Sequence, residues 1–151
     1  GLLRGAYVIA DATKTGFEPI AADASPNVVE NEPATPALII IATGSEVSLA
    51  LEARDVLQQE GTPTRVVSMP CWELFEEQPK EYRDEVLPPS VAARLSIEAG
   101  ARLGWDRYVG SQGDCISIDR FGASAPGDVA LKELGFNVEN VLQHARALLG
   151  K

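Results

Sequence analysis

The sequence predicts an α/β domain, a three-layer αβα arrangement around a mostly parallel, Rossmann-like sheet of about five strands, on three observations. The run Leu38-Ile39-Ile40-Ile41-Ala42 is apolar without alternation, as in a strand covered on both faces. Strand candidates alternate with segments of helical spacing. Helix punctuation falls between them, at Thr43, Gly61, Pro79 and Asn137.

Taken in order, Ala6-Tyr7-Val8-Ile9-Ala10 has the composition of a short strand. Residues 11–36 carry Gly16, Pro19, Pro26, Pro33 and Pro36 with little periodicity, and read as a long acidic surface loop or hairpin. The domain proper is expected over 37–151, with 1–36 as a leading strand and loop. After Leu38–Ala42, Thr43 and Glu46 have the spacing of a capping box. Val47, Ala50, Leu51, Arg54 and Leu57 continue a helix to Gly61. Thr64–Met69 is a β-branched strand, completing a βαβ unit. Trp72 to Val86 predicts two helical pieces divided at Pro79 and closed by Pro88-Pro89. Arg94–Glu98 is the next strand, then a short helix holding Trp105 and Tyr108, then a strand over Cys115–Asp119. A further helix is expected to end near Gly135, and Asn137 to cap a last one. That last helix has Val138, Val141, Leu142, Ala145, Leu148 and Leu149 on one face.

The length of 151 residues suits one core, burying about 68–70% of the unfolded surface. Hydrophobic residues make up 45% and charged ones 23%, which excludes a disordered chain, and no apolar run approaches the length of a membrane span. Thirteen Lys and Arg against 22 Asp and Glu give a net charge of −9, so nucleic acid and anionic membranes are excluded as partners. Cys71 and Cys115 lack C-x-x-C spacing and are expected as buried, reduced thiols in a cytoplasmic protein. The first five residues are too few and too soon charged for a signal peptide. Met69 is the only methionine, so the chain is expected to be a piece of a longer protein.

Ligands of open parallel sheets gather at the carboxyl ends of the strands. Thr43, Gly44, Ser45, Ser68, Met69, Glu98, Asp119 and Arg120 stand there, and Thr43, Gly44, Ser45, Glu98, Asp119 and Arg120 form the candidate ligand cleft. Backbone N–H groups after Thr43 and the charge of Arg120 could hold an anion. A plain helix cap also accounts for Thr43-Gly44-Ser45, which is neither G-x-G-x-x-G nor a Walker sequence. Glu98 and Asp119 could work as an acid–base pair, or each could pair with Arg94, Arg102 or Arg120. The single His144 has no second ligand or triad partner in view, and no serine sits in a nucleophile elbow. No catalytic, cofactor-binding or metal-binding residue is assigned.

Several strings in order resemble one family, the C-terminal domain of transketolase. They are Leu38–Ala50 (LIIIATGSEVSLA), Arg65–Phe75 (RVVSMPCWELF, where the family usually has Ser at Cys71), Glu98-Ala99-Gly100, Asp119–Pro126 (DRFGASAP) and Phe136–Val141. Arg4-Gly5-Ala6-Tyr7-Val8 is similar to the strand leading out of the preceding domain; the departure is the long acidic loop over 11–36. The resemblance implies a parent enzyme that moves a two-carbon ketol unit between sugar phosphates with thiamine diphosphate and Mg²⁺ or Ca²⁺. It implies that this domain holds no cofactor and none of the catalytic residues, packs on the remaining transketolase domains, supports a homodimer and is inactive alone. The alternative left by the residues themselves is a regulatory module binding an anion or metabolite at the carboxyl edge.

Overall fold

A computed structural model describes residues 4–13, 34–44, 46–98, 106–117 and 136–150. Most of the acidic loop, Ser45, Trp105, Asp119, Arg120 and the helix expected before Gly135 lie outside the described residues. The elements are β1 (Tyr7–Ala10), β2 (Leu38–Ala42), α1 (Glu46–Gln59), β3 (Thr64–Ser68), α2 (Trp72–Glu76), α3 (Lys80–Val86), β4 (Arg94–Glu98), α4 (Asp106–Val109), β5 (Asp114–Ser117) and α5 (Val138–Leu148).

The five strands form one sheet in the order β1-β3-β2-β4-β5. β2 is central, which is why all five of its residues are buried and why its sequence is unbroken apolar. It pairs parallel with β3 and with β4, and β4 pairs parallel with β5. Residues of one parity, Leu38, Ile40, Val66, Leu95 and Ile116, pack under α1 and α5. The other parity, Ile39, Ile41 and Val67, packs with Phe75, Val86 and Tyr108 of α2, α3 and α4. Two cores on opposite faces of one sheet make the three layers.

β1 runs antiparallel along β3, at the sheet's edge. Its register shifts between Val8 and Ala10, so Ile9 is an extra residue and stands 41% exposed. The bulge reverses the strand's facing: Ala6 and Val8 pack into the α2–α4 layer, while Ala10 packs against the α1–α5 layer.

Caps are local. The Asn137 Oδ1 accepts the Asn140 N–H at 2.8 Å and starts α5. Pro79 precedes α3, where its missing N–H costs nothing. Cys71 precedes α2 without a side-chain cap, and both cysteines are free and half-buried rather than buried. Rings close the α2–α4 layer: Tyr108 lies 5.6 Å from Trp72 and 6.0 Å from Phe75, centroid to centroid, within the range of favourable tilted pairs.

Candidate functional site at the carboxyl edge

From β2 the chain crosses to β3 on one side, and from β3 it returns to β4 on the other. The switch of direction therefore lies between β2 and β4, where this class of fold opens its crevice. Ala42 is in register with Ile97, so the residues that follow, Thr43 and Glu98, meet at that point. The Thr43 hydroxyl donates to Glu98 Oε2, and the two predicted residues are brought together by the register alone.

The expected capping box does not form with Thr43 as its cap. Gly44 takes φ +56°, a left-handed conformation that turns the chain before the helix, so α1 begins at Glu46. Glu46 is thus the first helical residue and not the fourth position of a box, and the Thr43 hydroxyl donates across to Glu98. The entry is a tight turn: the Glu46 N–H donates to the Thr43 carbonyl at 3.2 Å, and the Val47 N–H to the Gly44 carbonyl at 3.3 Å. Glu46 is 8% exposed, with its carboxylate in the first turn of α1, where the helix dipole favours negative charge.

The described crevice thus carries two carboxylates, Glu46 and Glu98, beside the N-terminal end of α1. Ser68 and Met69, expected to line the cleft, are buried at 7% and 0% exposure. Ser68 lies beneath the pairing of β3 with Tyr7 of β1.

Arg94 was expected among the partners of Glu98 or Asp119; it sits at the opposite end of β4 from Glu98 and cannot reach it. Its guanidinium instead donates to the carbonyls of Val91 (3.0 Å), Leu87 (3.3 Å), Pro88 (2.8 Å) and Tyr108 (2.7 Å). Burial lowers its pKa, and four carbonyl dipoles stabilise its charge in place of a carboxylate.

Three polar groupings were not foreseen. His144 Nδ1 and Asp114 Oδ2 approach to 2.5 Å, joining α5 to the start of β5 at the amino edge; thirty residues separate them and no sequence spacing marks the pair. Tyr108 donates its hydroxyl to Glu76 Oε1 at 2.9 Å, and Arg83 and Arg107 lie 3.6 and 3.7 Å from the same carboxylate. Burial, and then the Glu76 carboxylate, push the Tyr108 phenol up to about 12. At the amino edge Arg65 donates to Asp11 Oδ1 at 2.8 Å, and the Gln58 amide donates to the Thr13 carbonyl at 2.9 Å. Among the described residues no group of three or more His, Cys, Asp or Glu could hold a metal ion.

A family model described as the transketolase-like TK C-terminal domain matches residues 27–137. The transketolase of Geobacillus stearothermophilus is 50% identical over 151 residues, all of this chain and 20% of that protein. That of Aquifex aeolicus is 50% identical over 141 residues, 93% of this chain and 18% of the relative. Among solved structures, the transketolase of Leishmania mexicana superposes with a TM-score of 0.76 at 38% identity, covering 99% of this chain and 18% of that one. A Pichia stipitis transketolase described as a complex with sedoheptulose 7-phosphate gives a TM-score of 0.73 at 31% identity, over 97% of this chain and 18% of its own. The chain spans about one fifth of the length of the curated relatives it matches.

Proposed function

The chain belongs to the family of transketolase C-terminal domains, and from that premise we propose that it serves its parent enzyme as a non-catalytic assembly domain. The observation that carries this reading is the match along the whole chain to one fifth of a transketolase at 50% identity. The parent's activity is then transfer of a two-carbon ketol unit between sugar phosphates, and the sugar phosphate bound by the Pichia stipitis relative supports that substrate class. The parent uses thiamine diphosphate, which supplies the carbanion chemistry, together with Mg²⁺ or Ca²⁺.

We assign that cofactor and its metal to the remainder of the parent. Among the described residues no cluster of His, Cys, Asp and Glu is of a size to hold that metal. The chain's own contribution is packing. It presents a rigid two-sided core to the remaining transketolase domains and supports the homodimer.

No described helix is long and apolar enough to cross a membrane. We place the parent in the cytoplasm, although the relative from Zea mays is a chloroplastic transketolase. Two assays test the assignment. The folded 151-residue chain, given xylulose 5-phosphate, an aldose phosphate, thiamine diphosphate and Mg²⁺, is expected to show no ketol transfer; turnover would overturn the non-catalytic role. Removing this domain from the parent is expected to abolish its activity, and an unimpaired truncated enzyme would overturn the assembly role.

A further inference from the structure

We propose that the edge of β3 facing β1 is an acceptor for one extended strand, and that residues 4–13 are held on it as a separable segment that binds without covalent continuity to the rest of the domain. Attachment is distributed along the whole segment. At its start the Gly5 carbonyl accepts the Cys71 N–H at 3.0 Å, and the Tyr82 hydroxyl donates to the Ala6 carbonyl at 2.7 Å. The Arg4 guanidinium lies 4.6 Å from the centroid of the Tyr82 ring. In the middle, β1 pairs with β3 and its bulge feeds side chains into both cores. At its end Asp11 is held by Arg65 and Thr13 by Gln58.

The fit is specific. A side chain at Gly5 would place its Cβ 2.3 Å from the Cys71 carbonyl oxygen and from the Phe75 nitrogen, so only glycine enters there. Ala6 and Ala12 are fully buried, and Asp11 pairs with Arg65. The points where the chain leaves and returns are adjacent, since the Ala34 N–H donates to the Ala12 carbonyl at 3.1 Å. The two ends of the intervening link therefore meet, and their connection raises the local concentration of the strand. The partner this surface fits is an extended peptide recognised by strand addition, with main-chain pairing for affinity and the glycine, alanine and aspartate positions for specificity.

The test uses the full chain with a specific protease site inserted between Pro26 and Asn27, cut while folded and passed through gel filtration. The N-terminal piece is expected to elute with the remainder at the volume of the uncut chain. A fluorescent peptide of residues 4–13 should exchange into the cut protein saturably. Loss of the Asp11–Arg65 bond in an Asp11→Ala peptide should weaken that binding about tenfold, and a Gly5→Val peptide should not compete. Because these substitutions sit in the peptide, they cannot unfold the acceptor. Separation of the piece from a folded remainder, unfolding of the cut chain, or equal binding by the variant peptides would each overturn the proposal.

Discussion

Thr43 and Glu98 meet one residue beyond the last paired positions of β2 and β4, and their hydrogen bond ties the two strands together where the sheet's crevice would open. A bond to a charged acceptor in a half-buried setting contributes about 1.5–3 kcal/mol. Thr43→Val should lower the urea-unfolding free energy by that order. In a double-mutant cycle with Glu98→Ala, a coupling indistinguishable from zero would show that the two side chains act independently.

Gly5 and Gly61 separate steric from conformational demand. Both have positive φ, +79° and +86°. A Cβ on Gly61 meets nothing within 4 Å, so Gly61→Ala should cost only the left-handed strain, about 1–2 kcal/mol. Gly5→Ala adds a clash with the backbone of α2 and should cost clearly more. Equal melting temperatures for the two variants would contradict the close packing of the entering chain on α2.

Cys71 stands at the N-cap of α2 without making a cap bond. Serine there can accept an N–H of the first turn, and Cys71→Ser should stabilise the domain by up to about 1 kcal/mol. A loss of stability on denaturant unfolding would mean that the thiol's packing outweighs the cap.

Tyr108 predicts a response to alkali. Its phenol is pushed up to about 12 from an ordinary value of 10.0, so the folded state holds this proton more tightly than the unfolded state. Its stabilising contribution is complete below pH 10 and is lost as pH rises towards 12. Near-ultraviolet titration of the three tyrosines should show one ionising late, and Tyr108→Phe should remove that late step. A titration curve that keeps its late step in Tyr108→Phe would contradict the burial that, with Glu76, holds this phenol protonated.

The layers were legible in the sequence because each depends on local pattern. The unbroken run of β2 announces burial on both faces, and Pro79 and Asn137 punctuate helices by their own chemistry. Strand order was not legible, nor was the antiparallel placement of β1, because pairing joins segments distant in sequence. The crevice was half legible. Strand ends named Thr43 and Glu98, but the start of α1 was misplaced because the T-x-x-E spacing does not reveal that Gly44 turns left-handed. Arg94 was read as a partner for acids because charge is visible in sequence, whereas the four carbonyls it binds come from turns and helix ends that only the fold assembles.

Sedimentation velocity of the parent transketolase with and without this domain tests the proposed assembly role. A dimer is expected for the intact enzyme and a folded monomer once the domain is removed. A truncated enzyme that still sediments as a dimer would contradict it.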